Sequence, residues 1–552
     1  MPITSDVSAV PPPTEALHVQ IYRNMVEFGK DPERPALIDP EGNETVTFAQ
    51  LADASLTMAK LLQTEGDVKK GDIVSVFMPT SWRFPVSFLG IMTSGGVVTG
   101  AGIDGTTYET KRHYKRINCK VAITDSECAE ELIESIEELP DQEKPVVFVF
   151  LLEGHVPVQF ETTAKVVMIP TARLYEEKLT FESVFVPINL HDDLVTLFFS
   201  SGTTGMPKGV MTTHSNLSYM SAMEISFSEQ CVYPVLHSDG FDGKKEVMMM
   251  YMPLHMAMSY FTSVQCLKKG VAQVMIRCPI DVFDYIPLFK PTTFVTAPSM
   301  LQAIACRYAD CSTIKNLTVG AAPTTRKQYN DVRRAYPGLQ FFSQGYGMSE
   351  LTVACCYTDF REPIPFGSVG KILPNMTLKI VKEDGTECAF NEEGELWVKG
   401  PNVMRGYLKN EQATRETIDN EGYLHTGDIG YVNESKHIFI TARIKELIKV
   451  EGRQVPPAEI ESELSTHPAI EESAVIGIPT TRREGELIKA FVVLKRDAKA
   501  TEEEIIKWLE GKLSTYKQLT GGVQFIAQIP RHRTGKILRD TLKQMYNIPS
   551  KL

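Results

Sequence analysis

From about Thr47 to Ile380 the chain alternates short apolar, β-branched runs with helix-patterned segments, and this alternation restricts the fold more than any other feature. Gly71-Asp-Ile-Val-Ser-Val-Phe-Met78 precedes a helical stretch, and Val146-Val-Phe-Val-Phe150 is a second strand-like run. Thr293-Phe-Val-Thr-Ala297 leads into Pro298-Ser-Met-Leu-Gln-Ala-Ile304. Strands that are apolar on both faces are covered by the helices that return the chain to the next parallel strand. The pattern therefore predicts an α/β fold built on largely parallel sheets.

After Gly367 the texture changes. Leu378-Lys-Ile-Val-Lys382 and Gly394-Glu-Leu-Trp-Val-Lys399 are short β-like pieces separated by Gly, Asn and Asp turns, as in a small barrel or distorted sheet. The charged segment Thr441-Ala-Arg-Ile-Lys-Glu-Leu-Ile-Lys449 then leads to a compact tail. There, Ala458 to Thr466 suits a helix opened by Pro456-Pro457, and Ser473–Ile478 and Ile488–Leu494 suit strands. Thr501 caps a helix expected from Glu502 to about Leu513, with Glu504 completing a capping box. A boundary near Ala442 divides residues 1–441 from a smaller α+β domain, residues 442–552.

Leu194, Val195, Leu197, Phe198 and Phe199 read as a buried strand. It ends in Ser200, Ser201, Gly202, Thr203, Thr204 and Gly205, with Lys208 three residues further on. Glycines let backbone N–H groups approach a phosphate chain, hydroxyls add donors, and the lysine adds positive charge. Such a loop suits a nucleotide triphosphate. It is not a Walker loop, because Gly209 follows Lys208 where that motif requires Ser or Thr. A plain Ser/Gly turn is the alternative.

The net charge of −12 argues against a general nucleic-acid or acidic-membrane binder, so the basic residues must act locally. Ten cysteines include no C-x-x-C pair, which favours reduced thiols over a zinc or disulfide framework. Two uncharged or nearly uncharged stretches, Phe84–Ile103 and Val247–Val264, are broken by Gly, Ser/Thr, Pro253 and His255. They read as buried α/β elements and not as membrane spans. Ser550-Lys551-Leu552 at the end reads as a peroxisomal import signal, predicting an import receptor as partner and the peroxisomal matrix as location.

Four more segments follow the phosphate loop in order: Gln344-Gly-Tyr-Gly-Met-Ser-Glu350; Gly394-Glu-Leu-Trp-Val-Lys-Gly-Pro-Asn-Val-Met-Arg-Gly-Tyr407; Tyr423-Leu-His-Thr-Gly-Asp-Ile-Gly430; and Pro530-Arg-His-Arg-Thr-Gly-Lys-Ile-Leu-Arg539. Together, over roughly Thr47 to Leu542, the set closely resembles the adenylate-forming superfamily of acyl-CoA synthetases, luciferases and peptide-synthetase adenylation domains. Its best likeness is to the 4-coumarate–CoA ligase-like branch. The resemblance implies a large α/β domain with a small barrel and a mobile C-terminal domain. It also implies a two-step reaction, in which a carboxylic acid and MgATP give an acyl-AMP and pyrophosphate, and coenzyme A then displaces AMP to form a thioester.

The resemblance also implies roles. Lys208 and Ser200–Gly205 match the pyrophosphate cradle, and Glu350 matches the carboxylate that helps hold Mg²⁺. Ser349 stands where the family more often has Thr. Tyr346, following Gln344 and Gly345, matches the residue that stacks on adenine; Gly320, Ala321 and Ala322 resemble the turn lining base and acyl group. Asp428 matches the ribose-binding carboxylate, Arg443 a second ribose or phosphate contact, and Lys536 the lysine that bridges carboxylate and α-phosphate. Lys445, Lys449 and Gly452 match positions facing coenzyme A after the small domain rotates.

Three positions depart from the pattern. Ala442 replaces the usual hinge Asp, and Glu451 replaces a Lys near the coenzyme A phosphates. In Pro253-Leu-His-Met-Ala-Met258 the His comes one place early. His255, Met256 and Met258 are therefore the acyl-site candidates, with a satisfied core histidine and ordinary Met packing as alternatives. A fatty or aryl-alkyl acid is the expected substrate. A luciferase-like oxygenase and an adenylating enzyme with another acceptor are the competing readings.

Overall fold

The computed structural model describes residues 2–546 except 104, 138, 141–142, 146, 153–161, 163–164, 201–206, 307–308, 451–452, 481–484, 511 and 532–535. Its largest sheet has eight strands. Six are parallel, in the spatial order Leu194–Ser200, Val97–Gly100, Ile73–Phe77, Cys119–Asp125, Val147–Leu152, Lys165–Pro170. At the Leu194–Ser200 end, Lys208–Thr213 adds antiparallel, and the two-residue strand Gly406–Tyr407 pairs antiparallel with it in turn. A four-stranded sheet carries the parallel strands Val247–Met250, Ala272–Met275 and Pro35–Asp39. The strands Thr293–Thr296, Asn316–Val319 and Phe341–Gln344 form a third, wholly parallel sheet.

Helices start where the sequence supplies caps. Thr47, Thr106, Thr213, Thr325 and Thr501 each form a capping box with the residue three positions on. Each box satisfies two otherwise orphaned N–H groups, a contribution of about 1 kcal/mol. Both weakly charged stretches are interior elements, as expected. The helix Arg83–Thr93 and strand Val97–Gly100 are buried throughout, and Val247–Met250 and Ala257–Lys269 form a strand and a helix. No described helix is long and apolar enough to cross a membrane.

The expected small barrel takes the form of an open five-stranded antiparallel sheet, ordered Ile3–Thr4, Thr377–Val381, Gly394–Lys399, Leu424–Val432, Ile438–Arg443. Beyond it lie the strands Ile470–Pro479, Glu486–Leu494 and Val523–Phe525, with the helices Pro457–Leu464 and Glu502–Leu509 packed over a core that includes Ile460, Val475, Ile488 and Ile505. The second of these helices is shorter than its expected end near Leu513. Glu510 turns extended, and the Gln518 side chain donates to the carbonyls of Leu509 and Leu513, replacing the next turn of helix.

Candidate active site

The phosphate loop joins two antiparallel strands. Ser200, the last residue of Leu194–Ser200, lies opposite Lys208, the first residue of Lys208–Thr213. Ser201, Gly202, Thr203, Thr204 and Gly205 lie outside the described residues, but both sides of the loop mouth are fixed by this register. Its exit is pinned where Arg116 donates to the Pro207 carbonyl at 2.8 Å. The Lys208 ammonium sits 4.7 Å from the centre of the Tyr407 ring, over its face.

Gln344 ends a strand, and the chain then turns through Gly345 to Tyr346 and Glu350. A Cβ built on Gly345 would meet nothing within 4 Å, and one on Gly320 would meet only the Gly345 carbonyl at 3.8 Å. The two glycines thus border open space, as a flat base would require. Ala321, next to Gly320, holds a left-handed φ of 71°, a conformation that turns the chain sharply at the strand end. Ser349 and Glu350 occupy a single 3₁₀ turn, and the Glu350 side chain is buried with an oxygen 2.9 Å from the Tyr407 hydroxyl.

The turn after Glu350 is strained and clamped. Thr352 has φ 50° and Val353, a β-branched residue, has φ 114°. The fully buried Asn402 donates to the carbonyls of Leu351 (2.8 Å) and Ala354 (3.0 Å), and its own carbonyl accepts from the Thr352 hydroxyl at 2.7 Å. Met404 N–H donates to the Glu350 carbonyl at 2.9 Å. The segment Gly400–Tyr407 therefore braces the Glu350 loop from outside it. That bracing was invisible in the sequence, where Asn402 and Tyr407 belong to a recognisable motif but carry no charge to mark them.

Asp428 and Arg443 face each other in register across two strands of the open sheet. Arg443 Nε donates to Asp428 Oδ1 at 2.6 Å and its Nη2 to Oδ2 at 3.3 Å; Tyr346 Oη donates to Oδ2 at 2.6 Å. Burial, then Asp428, raises the Tyr346 phenol well above its usual range, so the hydroxyl stays a donor. Tyr346, Asp428 and Arg443 are thus one hydrogen-bonded unit, although they come from distant motifs.

Lys536 reaches the same place from the C-terminal domain. Burial first and Arg443 second lower its ammonium from the ordinary value, while Asp428, Glu446 and Glu350 act in the opposite direction. Lys445 is lowered by partial burial, then by Lys208 and Arg443. Arg443 is common to both sets: it acts on Lys445 together with Lys208, and on Lys536 together with Asp428 and Glu350. Like-charge repulsion among the cations is relieved by a polyanion such as a phosphate chain.

The remaining candidates are dispersed. Lys449 is exposed on the strand Ile448–Val450, where its backbone N–H donates to Glu486 at 2.9 Å, and Gly452 and Glu451 lie outside the described residues. Lys445 is exposed as well, but Lys208 and Arg443 act on its ammonium. His255 backs onto the strand Val97–Gly100, close enough that a Cβ on Gly100 would come within 2.7 Å of its own. Met256 is the N-cap position of the helix Ala257–Lys269, and Met258 packs against the main core. Met249 and Met250 are buried in two different cores, as ordinary Met packing would have it. Ala442 pairs with Ile429 inside the open sheet.

The chain belongs to the AMP-binding enzyme family: the family model matches residues 27–408, and that of the AMP-binding enzyme C-terminal domain matches residues 459–536. It is 33% identical over 549 residues to 4-coumarate-CoA ligase 1 of Narcissus pseudonarcissus, covering 96% of this chain and 93% of that one. It is 32% identical over 545 residues to acyl-CoA synthetase 7 of Caenorhabditis elegans, covering 96% and 95%. These relatives place it in the class of AMP-forming acid–thiol ligases. Among solved structures, o-succinylbenzoate CoA synthetase from Bacillus subtilis in complex with an acyl-adenylate intermediate superposes with a TM-score of 0.76 at 25% identity, covering 94% of this chain and 97% of that one. ATP-bound MatB from Rhodopseudomonas palustris shares the fold, with a TM-score of 0.80 at 21% identity over 96% and 99% of the two chains.

Proposed function

We propose that this ligase activates a fatty or aryl-alkyl carboxylic acid with MgATP and transfers the acyl group to coenzyme A. The observation that carries the reading is the hydrogen-bonded unit of Tyr346, Asp428 and Arg443, together with Glu350 and Lys208 brought to the two sides of Tyr407. In the first half-reaction the carboxylate attacks the α-phosphorus and pyrophosphate leaves. Negative charge grows on the α-phosphoryl oxygens and the leaving group, so fixed cations lower the barrier. Lys208 holds the pyrophosphate end, Lys536 bridges the carboxylate and the α-phosphate, and Asp428 accepts the ribose hydroxyls by exchanging its present partners Tyr346 and Arg443.

Among the described residues no cluster of three metal-ligating side chains occurs. A single buried carboxylate, Glu350, fits Mg²⁺, which keeps waters and binds substrate phosphates beside one or two protein oxygens. Bound there, Mg²⁺ would supply charge neutralisation at the phosphates. Domain rotation about Ala442 then brings Lys445 and Lys449 toward coenzyme A; Ala in place of Asp keeps the backbone able to turn.

Pyrophosphate release from purified protein with MgATP and a panel of acids tests the reading. Acetate, medium- and long-chain fatty acids, cinnamates and branched acids are compared with and without coenzyme A. Turnover stimulated by coenzyme A on a fatty or aryl-alkyl acid supports it; release indifferent to coenzyme A points to another acceptor, and no release overturns it. Peroxisomal location is proposed on Ser550-Lys551-Leu552 alone. A fluorescent N-terminal fusion that stays diffuse with the tripeptide intact would refute that address.

A further inference from the structure

Tyr407 joins two groups that the proposed chemistry needs at a fixed separation. Its hydroxyl donates to Glu350 Oε1 at 2.9 Å, and its ring face carries the Lys208 ammonium 4.7 Å from the centroid. Among the described residues no other side chain hydrogen-bonds the Glu350 carboxylate.

The backbone explains how one side chain serves both. Gly406–Tyr407 is a two-residue strand at the edge of the eight-stranded sheet, with Tyr407 opposite Val210 and Gly406 opposite Met211. The bonds Arg405 N–H to Met211 O (2.9 Å) and Leu408 N–H to Gly209 O (2.8 Å) bracket this pairing. Lys208 lies two residues before Val210, so Tyr407 and Lys208 are diagonal neighbours on one sheet face. Gly406, at φ 147°, lets the strand pass Thr414; a Cβ there would come 2.8 Å from the Thr414 methyl. Thr414 in turn accepts from Tyr407 N–H at 2.9 Å.

We propose that Tyr407 is a positioning residue that sets Glu350 for Mg²⁺ and Lys208 for the nucleotide phosphates, each through a different part of its side chain. The inference rests on the functional reading above. With the hydroxyl occupying Oε1, the other carboxylate oxygen stays available to a cation. The ring face holds the ammonium at the loop mouth before a phosphate arrives, which reduces the ordering cost of binding.

Two variants separate the two functions. Tyr407→Phe keeps the ring and removes the hydroxyl; Tyr407→Leu removes both. Calorimetric titration with ATP, without metal and at stepped MgCl₂ concentrations, reads binding with no turnover, and thermal unfolding confirms that each variant is folded. Tyr407→Phe should leave metal-free ATP affinity within about twofold of wild type and raise the Mg²⁺ concentration that half-enhances binding about tenfold, the effect of losing a hydrogen bond to a charged group. Tyr407→Leu should show the same metal shift and also weaken metal-free ATP binding about fivefold or more. A metal midpoint unchanged in folded Tyr407→Phe overturns the positioning role even if the protein proves to be a ligase. Wild-type protein that binds no ATP with or without Mg²⁺ overturns the functional reading itself, and this inference with it.

Discussion

In the proposed reaction, individual residues of the site divide by which half-reaction they serve. Arg443, Asp428 and Glu350 all act on the Lys536 ammonium, the surroundings that the proposed adenylation step calls for. Lys536→Ala should lower acyl-AMP formation by at least about a hundredfold, the effect of removing one positioned charge from a developing oxyanion. Thioester formation from supplied acyl-AMP should stay within a few-fold of wild type. Equal loss in both assays, measured as pyrophosphate release and as thioester yield, would refute the division. The pairing of Asp428 with Arg443 and Tyr346 adds a second point at this scale. In the proposed reaction a ribose that takes over Asp428 displaces donors already well placed, which would couple base and ribose binding through the Tyr346 hydroxyl.

At the scale of elements, the Gly400–Tyr407 segment is the brace for a strained turn. Asn402→Ala removes two side-chain hydrogen bonds and leaves the Leu351 and Ala354 carbonyls buried. The expected cost is about 2–4 kcal/mol, read as a lower urea midpoint at unchanged slope. Strand and helix order was legible in the sequence because apolar runs, Thr caps and Gly turns act locally. Tyr346, Asp428 and Arg443 were legible as types because their chemistry is distinctive within motifs. Asn402 and Tyr407 were not, since a neutral side chain gains its role only from what the fold places beside it. Lys445 and Lys449 looked equivalent for the same reason. They sit on different elements, the 3₁₀ turn Ile444–Glu446 and the strand Ile448–Val450, and Lys208 and Arg443 act on Lys445. The helix expected to reach Leu513 failed on a tertiary contact, the Gln518 amide, which no local pattern encodes.

The whole molecule should be acid-sensitive for a reason unrelated to the site. Burial lowers His113 to about 4 and His214 to about 3, and it also holds His18 well below its usual value. His18 and His113 have ring nitrogens with no hydrogen-bond partner, as does His214 Nε2. These rings stay neutral in the folded protein, whereas in the unfolded chain they take up protons below about 6.5. Unfolding therefore gains protons as pH falls, and stability present above pH 6.5 is lost progressively toward pH 4. The expected loss at pH 5 is about 1–2 kcal/mol per histidine. Unfolding temperature against pH should flatten in His113→Gln and His214→Asn; an unchanged slope in both would remove these rings as the cause.

The hairpin that carries the phosphate loop has one more consequence. Because the chain leaves Lys208 as a strand and not as a helix, no helix N-terminus points its aligned peptide dipoles at the nucleotide from that side. More of the attraction must then come from side-chain cations such as Lys208 and Lys445, whose partly exposed charges are screened by dissolved ions. ATP affinity should thus fall severalfold between about 0.05 and 0.5 M KCl, measured by calorimetry with Mg²⁺ saturating. The sheet edge turns nucleotide capture into a property of the medium as much as of the protein.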